Sequence, residues 1–408
     1  IQEIYNRIEI NRNPGIWSSY DDWNPGIKSM VLTRLCLKAG VRLQYGSLGF
    51  GIIKGSRTGR VNGIIAVTKE GILSCHAKYT VDATGDGDVA IFAGADAVYG
   101  SERDFITYWA SLAQYTSPEK YKNNFSSTVL VSDPVDYTRF IRLGRRRGTG
   151  TYDHGSYVSP RESRHIRGGY VIDLKDIINY RTYGDGIYTC FSNYDPKGKL
   201  SADMIYAGVL PPQVSIQIPL RALLPVDKKG LAIPGILIAG KAISCTHNAF
   251  PSIRMQPDLM HQGTVIGRII AEAVKTDTEP EQLDPRRLKK IISGYTGDPL
   301  TLTNLKLSLE DVVCSASFAD RSHWVDIPFT AEVKSEENAL RIMSADSGEI
   351  RPLLEQRFIS LSQETARITE HEQLLENRSN LELLSGYLLW HGSEMGIRTL
   401  LGAILKEL

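Results

Sequence analysis

Residues 79–90 constrain the fold of this chain more than any other stretch of its sequence. Their order, Tyr-Thr-Val-Asp-Ala-Thr-Gly-Asp-Gly-Asp-Val-Ala, predicts a strand that runs into a tight glycine-rich turn and then into a helix. Such a turn brings several backbone N–H groups together at a helix N-terminus, where they can bind an anion. A strand, a turn and a helix in this order are typical of an α/β domain.

The turn itself admits more than one interpretation. Gly85 to Ala90 spells Gly-x-Gly-x-x-Ala, the pattern of a dinucleotide fingerprint. Asp86 and Asp88, however, would set two like-charged carboxylates inside a phosphate cradle. A calcium loop fits no better, because Ala93 stands where an EF-hand loop has glutamate. An ordinary turn whose aspartates cap the helix explains the pattern about as well.

A second chemistry-bearing segment begins with a short buried strand predicted over residues 235–239, which ends in Ala-Gly ahead of a helix predicted over residues 258–274. A strand that ends in Ala-Gly lets a ligand approach the backbone closely. Between the strand and the helix lie His247 and Arg254, which could polarise or bind an anionic or carbonyl group. A structural loop whose polar groups satisfy one another is equally consistent with the pattern.

A third segment, residues 159–170, is rich in arginine. Arg161, Arg164 and Arg167 fall within seven residues. With Glu162 beside them, they indicate either ion pairs in a buried structural network or the recognition of an anionic substrate. The residues alone do not favour one over the other.

Elsewhere the pattern predicts the order of elements only coarsely. A helix is expected to begin at Pro25 and to end at Gly40, and residues 49–55 are expected to be strand and turn. Further strands are predicted over residues 41–45, 62–67, 78–83, 170–174 and 214–218. Further helices are predicted near residues 103–114 and 134–147, and as a C-terminal pair over residues 380–408 that is broken at residues 391–393.

Composition narrows the class of protein. The 408 residues are too many for one compact core, and the 42 % hydrophobic content is ordinary for a globular protein. A net charge of +1 argues against nucleic-acid or membrane partners, and no apolar run is long enough to span a bilayer. Five cysteines without CxxC spacing argue against disulfides and against a metal site. The cytoplasm is the favoured location, although the true N-terminus is not visible because the chain opens on Ile1.

The three segments, in this order, resemble a family of FAD-dependent oxidoreductases. The shared motifs are Val-Asp-Ala-Thr-Gly-Asp-Gly-Asp at residues 81–88, Pro-Arg-Glu-Ser-Arg at residues 160–164, and Ala-Gly-x-x-x-Ser at residues 239–244 with Arg254 after it. The resemblance covers roughly residues 20–275. It implies an α/β (α+β mixed) fold, in which a Rossmann-like FAD-binding domain carries an inserted, mainly β substrate domain and a helical C-terminal region.

The resemblance also implies domain limits and site residues. The FAD-binding domain would comprise residues 1–100 and 229–280, the substrate domain residues 101–228, and the C-terminal region residues 281–408. The residues expected to contact FAD are Ala83, Thr84, Gly85, Ala239, Gly240, Lys241, Gln262 and Gly263. Those expected to face a small-molecule substrate are Arg161, Arg164, His247 and Arg254, with His247 as the general base for hydride transfer.

One departure from the family concerns the start of the chain. Family members open with a strand and Gly-x-Gly-x-x-Gly, which cradles the FAD pyrophosphate, and nothing of this kind precedes Ile1. We therefore expect either a fragment or a second polypeptide that supplies the loop. The alternative function is a non-catalytic interaction or scaffold protein that keeps the flavoprotein fold without FAD.

Overall fold

A computed structural model describes residues 25–102, 105–117, 120–147, 152–179, 181–190, 194–196 and 215–293. In the C-terminal region it describes residues 309–310, 313, 341–343, 345–399 and 401–402. Helices alternate with several small sheets, so the predicted mixed α/β class is confirmed. The predicted domain limits stay predictions. No helix within the described ranges is long and apolar enough to cross a membrane.

The first described part is one helix followed by an antiparallel meander. Helix α1 (Pro25–Lys38) begins at the predicted proline and ends just before Gly40. Strands β1 (Leu48–Lys54), β2 (Val61–Thr68) and β3 (Gly71–His76) pair in that order. The strand predicted over residues 41–45 is wrong, because the chain finds its pairing partner only from β1 onwards.

The next unit joins two distant parts of the sequence. Strand β4 (Thr80–Asp82) leads into helix α2 (Asp88–Ala93), as the glycine-rich turn predicts. β4 pairs in parallel with β12 (Ile236–Ile238), which is the strand predicted before Gly240. A small apolar core lies around α2 and these strands. The carboxyl ends of two parallel neighbours therefore lie together.

The middle of the chain is largely β, as predicted. Strand β5 (Ala97–Tyr99) pairs with β9 (Arg164–Ile166). A separate sheet has the order β7-β6-β8, formed by β6 (Ala110–Ser117), β7 (Lys120–Ser127) and β8 (Asp153–Ser159). Helix α3 (Pro134–Arg147) packs on that sheet and matches its predicted range.

The helix predicted near residues 103–114 is wrong over its described C-terminal part. From Ala110 to Gln114 the side chains alternate between buried and partly buried, which is the period of a strand. β6 also has a partner on each edge, so its backbone groups are satisfied by the neighbouring strands. Residues 103–104 lie outside the described ranges.

The remaining elements surround the largest apolar core. It contains α4 (Leu174–Ile178), β10 (Gly186–Cys190), β11 (Ile216–Pro219) and the long helix α5 (Gln256–Thr276). The strand predicted over residues 170–174 is wrong. It reduces to a single bridge between Ile172 and Cys245, because Asp173 forms a capping box that starts α4 instead.

The C-terminal region shares that same core. Its helices are α6 (Pro285–Ile291), α7 (Ser347–Thr365) and α8 (His371–Trp390). Buried leucines of α7 and α8 belong to one apolar cluster with side chains of β10, β11 and α5. The predicted break at residues 391–393 is confirmed, although α8 begins nine residues earlier than the predicted range of 380–408.

Candidate functional site

The two glycine turns singled out in the sequence lie side by side. The backbone N–H of Ala239 donates to the carbonyl of Asp82 at 2.8 Å, which extends the pairing of β4 and β12 to the ends of both strands. The turn at Gly85 and the turn at Gly240 follow directly. A Cβ added to Gly85 would stand 3.5 Å from Cε of Lys241, so the Lys241 side chain extends from the second turn to the first.

Both turns require glycine for their backbone conformation. Gly85 has φ +85° and Gly240 has φ +84°, a region that other residues rarely adopt. A Cβ on Gly240 would meet no atom of the described chain segments within 4 Å, so these segments leave open space beside this turn. The neighbouring Ala83 and Thr84 are exposed, whereas Ala239 is buried. The smallest side chains thus border a space that a ligand could enter.

The buried carboxylate of Asp82 holds the first turn in shape. Its Oδ1 accepts hydrogen bonds from the backbone N–H and the hydroxyl of Thr84, at 3.0 and 2.7 Å. Its Oδ2 accepts from the N–H of Ala90 in α2, at 2.9 Å. The hydroxyl oxygen of Thr84 accepts in turn from the N–H of Asp88. Asp82 and Thr84 therefore supply acceptors for the first N–H groups of α2.

A polar network crosses between the two turns. Nζ of Lys241 lies 2.5 Å from Oδ1 of Asp86, and it also donates to the hydroxyl of Ser163 at 2.9 Å. The Ser163 hydroxyl donates to the same Asp86 oxygen. These contacts hold the pKa of Asp86 below its ordinary value, although burial alone would raise it. Arg164 pairs with Asp88 at 2.6 Å, so it faces α2.

Gln262 supports the second turn from helix α5. Its side-chain oxygen accepts from the N–H of Gly240 at 2.5 Å, and its amide nitrogen donates to the hydroxyl of Tyr188 at 3.0 Å. Gln262 is buried, so it reaches the turn from inside the protein. Gly263, the other predicted cofactor residue on this helix, is exposed, and a Cβ there would meet no described atom within 4 Å.

His247 belongs to a buried cluster around one carboxylate. Its Nδ1 lies 2.9 Å from both oxygens of Glu162. Nε2 of His165 lies 2.7 Å from Oε1 of the same carboxylate. Burial alone would raise the pKa of Glu162, but the hydrogen bonds from His165 and His247 outweigh it and hold this pKa below its ordinary value. All three side chains are buried.

Tyr108 and Cys245 complete this cluster. The ring of Tyr108 stacks on the imidazole of His247, with centroids 4.2 Å apart and planes within 6°. The N–H of Tyr108 donates to Oε2 of Glu162 at 2.9 Å, and burial raises the pKa of its phenol. Sγ of Cys245 lies 3.4 Å from Nδ1 of His165. Burial also raises the pKa of the Cys245 thiol.

Besides Glu162, Arg254 is a charged group near Tyr108. Its Nη2 donates to the backbone carbonyl of Asp195 at 2.6 Å and to the Asp195 carboxylate at 3.1 Å. Its Nε is buried and has no hydrogen-bond partner among the residues that the structure describes. Burial lowers the pKa of this guanidinium, which Asp195 partly offsets. Within the described part of the chain, Arg254 therefore carries one unsatisfied donor.

The structure does not bring all four predicted substrate residues together. His247 and Arg254 both lie near Tyr108. The Tyr108 ring stacks on His247, and the charge of Arg254 acts to lower the pKa of the Tyr108 phenol. Arg161 instead donates to the carbonyl of Trp109 and to the hydroxyl of Ser126, at the end of the β7-β6-β8 sheet. Arg164 faces α2.

Sequence reasoning missed the carboxylate at the centre of the cluster. Glu162 was interpreted through its arginine neighbours, yet its partners are His165, His247 and the backbone of Tyr108. The one available signal was the spacing of Glu162 and His165, three residues apart. Within the described residues, no group of three or more His, Cys, Asp or Glu side chains is arranged to hold a metal ion.

A glycine turn at the end of one parallel strand, beside an Ala-Gly strand end, lies where α/β proteins commonly bind their ligands. A sequence model of the family described as FAD dependent oxidoreductase matches residues 1–158 and 151–292. The chain therefore belongs to the FAD-dependent oxidoreductase family, whose Rossmann-like fold accommodates the β4 and β12 pair, and the resemblance drawn from the sequence is confirmed. No curated protein matches the chain significantly.

Proposed function

We propose that this chain is an enzyme that holds FAD against the two glycine turns and transfers a hydride between that flavin and a small organic substrate. The observation that supports the proposal is the adjacency of Gly85 and Gly240 at the ends of two paired parallel strands. Ligands of open α/β sheets bind outside the carboxyl ends of the strands, and these turns lie there.

The residues at the turns fit a long, flat dinucleotide. The space beside Gly240 and the exposed residues Ala83 and Thr84 would admit it, and the Lys241 side chain would border it beside Gly85. Lys241 would supply a positive charge for its phosphates. Bound FAD supplies a hydride acceptor, or a donor when reduced. Gln262 holds the Gly240 turn in place through its buried amide, and Gly263 lies beside it on α5.

The chain's own contribution to the chemistry would be made by His247 and Arg254. A substrate that loses a hydride from carbon also loses a proton from its oxygen or nitrogen, and His247 would accept that proton. The unsatisfied Nε–H of Arg254 would donate to the oxygen of such a substrate. Because Asp195 holds the guanidinium by two contacts, this donor is fixed in place.

Arg161 and Arg164 have a different role in this proposal. Each is committed to a neighbouring element, Arg161 to Trp109 and Ser126 and Arg164 to Asp88. They would set the position of the segment that carries Glu162, between the β7-β6-β8 sheet and α2. Their replacement would therefore disturb the substrate side indirectly.

Flavin binding tests the first half of the proposal. The purified chain is incubated with FAD, passed through a desalting column and scanned for the two absorption bands of oxidised flavin. We expect FAD to stay with the protein, and FMN, which lacks the adenylate half, to be retained much less. A colourless protein after refolding with FAD would contradict FAD binding by this chain alone, which leaves either a separate segment that supplies the pyrophosphate loop or the non-catalytic scaffold.

Substrate reduction of the bound flavin tests the second half. Small alcohols, amines and hydroxy acids are added one class at a time without oxygen, and the bleaching of the flavin is recorded. We expect one class to bleach it in the native chain and His247→Gln to slow that bleaching by about 10²-fold. Bound FAD that no class reduces would contradict hydride transfer while leaving cofactor binding intact.

A further inference from the structure

The carboxylate of Glu162 is the common partner of two buried histidines. Nδ1 of His247 and Nε2 of His165 both lie within 2.9 Å of its oxygens, and the N–H of Tyr108 fills another acceptor position at Oε2. An ionised carboxylate offers only acceptors. Each nitrogen that faces it must therefore carry a proton.

Glu162 is ionised at neutral pH. Burial disfavours its charge, but the two imidazoles outweigh burial, so the pKa lies below the ordinary value. The ionisable groups that surround the carboxylate come from four segments of the chain. The nearby groups are Tyr108, His165, Cys245 and His247. Arg254 interacts electrostatically with the Glu162 carboxylate from farther away.

We propose that Glu162 is a positioning residue that selects the Nδ1–H tautomer of His247 and the Nε2–H tautomer of His165. In a neutral imidazole the nitrogen without a proton is the basic one. Glu162 thereby makes Nε2 the basic nitrogen of His247, and its relevance to catalysis rests on the function proposed for His247 above. The tautomers themselves do not depend on that function.

His165 provides an independent check on the assignment. If its Nε2 carries the proton, its Nδ1 has the lone pair, and that lone pair faces Sγ of Cys245 at 3.4 Å. A thiol whose pKa is raised by burial keeps its proton and can donate to such a nitrogen. The Cys245 contact is thus the one expected of the tautomer that Glu162 imposes.

The stacked phenol of Tyr108 fixes the plane of His247. With the ring planes 6° apart, the imidazole keeps its Nδ1 directed at Glu162. The hydroxyl of Tyr108 also donates to the backbone carbonyl of His247 at 3.2 Å. Orientation and tautomer are therefore set by two different residues, and they can be separated by substitution.

Nitrogen-15 NMR of the histidine rings tests the proposal directly, since it distinguishes the two tautomers. The chain has eight histidines, so the two signals are identified by their loss in His247→Gln and His165→Gln. In the native chain we expect Nδ1–H for His247 and Nε2–H for His165. A native His247 signal from the Nε2–H tautomer would overturn the proposal, whatever any variant does.

Glu162→Gln makes a sharper prediction, because an amide has one acceptor oxygen. The N–H of Tyr108 requires that oxygen at the position of Oε2, which places the amide NH2 at the position of Oε1. His165, which faces Oε1, must then become the Nδ1–H tautomer. His247 also reaches Oε2 and should keep its proton on Nδ1. No change at His165 would count against Glu162 as the determinant.

Two further variants separate positioning from bulk structure. Glu162→Leu removes both carboxylate oxygens, so the Nδ1–H tautomer of His247 should lose population relative to the native chain. His165→Gln leaves the carboxylate in place and should leave His247 as Nδ1–H. An unchanged His247 signal in Glu162→Leu would overturn the proposal, and if that variant does not fold, the native and Glu162→Gln spectra decide. If the tautomers are as expected but substrate reduces the flavin of His247→Gln as fast as that of the native chain, only the proposed catalytic role of His247 is removed.

Discussion

Nζ of Lys241 lies 2.5 Å from Oδ1 of Asp86, and this ion pair joins the two glycine turns that the sequence keeps 155 residues apart. The pair is partly exposed, since the side chains keep 23 % and 46 % of their accessible surface. Solvent therefore screens it, and its contribution to folding stability is small. Its larger consequence is that a cation stands beside the proposed path of the FAD phosphates.

Removing that cation is expected to weaken FAD binding. Lys241→Gln should raise the dissociation constant of FAD by about tenfold, which corresponds to about 1.4 kcal/mol. The loss should shrink at high salt, because ions screen the interaction with phosphate. Equilibrium titration followed by flavin fluorescence measures it.

Lys78→Gln is the matched control for Lys241→Gln. Lys78 also pairs with an aspartate, Asp277, at 3.1 Å, but at an exposed site away from both turns. This variant should bind FAD like the native chain. Equal losses of FAD affinity in the two variants would show that the net charge of the protein, and not the position of Lys241, determines the affinity.

The space beside Gly240 gives a second prediction. Gly240→Ala adds a methyl group where no atom of the described residues lies within 4 Å, so it would meet a ligand in that space and no described neighbour. The positive φ makes alanine cost about 1 kcal/mol of folding stability. We expect that cost together with at least a tenfold loss of FAD affinity, measured by the same titration.

Gly230→Ala separates the two effects. Gly230 has φ +76°, and a Cβ there would also meet no atom of the described residues within 4 Å, but it lies in a turn closed by Asp227. It should lose about 1 kcal/mol of folding stability and no FAD affinity. If Gly240→Ala keeps native affinity, the cofactor does not pass this turn.

Asp82 gives a prediction about the scaffold beneath the first turn. Asp82→Ala removes three hydrogen bonds and leaves the buried N–H of Ala90 without its acceptor. We expect a loss of about 3 kcal/mol in the free energy of unfolding, measured with urea. Asp82→Asn keeps one acceptor oxygen and should lose roughly half as much. A change below about 0.5 kcal/mol in Asp82→Ala would contradict the capping role.

The parts of this site that the sequence predicted are those that local pattern determines. Glycines at positive φ, a strand that ends in Ala-Gly, and the helical spacing of α5 follow from residues close in sequence. The pairing of Glu162 with His247 spans 85 residues, so no local pattern contains it. Glu162 stands between arginines in sequence, but the fold turns it towards the histidines. The error over β6 has the same origin, because its two strand partners, not its own residues, decide its conformation.

Replacing Arg254, which pairs with Asp195, should affect folding stability and flavin reduction in ways that can be measured separately. Arg254→Ala leaves a mostly buried carboxylate without its guanidinium, and we expect a loss of about 3 kcal/mol in unfolding free energy. Because the hydrogen bonds of Arg254 within the described residues go to Asp195, the ratio of bound flavin to folded protein should not change. Bleaching of the flavin by substrate should fall by at least about 10²-fold. Full activity in this variant would remove Arg254 from the substrate site.

His391 links helices α7 and α8 and should make the C-terminal region sensitive to acid. Its Nε2–H donates to the carbonyl of Ile342 at 2.7 Å, and its Nδ1 lies 3.0 Å from the hydroxyl of Ser347. Burial lowers its pKa, and the bond to Ile342 only partly offsets this. Below the ordinary histidine pKa of about 6.5, this histidine therefore binds a proton more readily in the unfolded chain than in the folded chain.

The contribution of His391 to stability is thus complete above that value and is lost as the pH falls through it. As the pH falls from about 7.5 to about 5.5, the range in which histidine titrates, the urea midpoint should fall more in the native chain than in His391→Gln. His371→Gln, at an exposed position in the first turn of α8, is the control and should keep the native pH dependence. Identical pH dependence in the native chain and His391→Gln would show that another group causes the acid sensitivity.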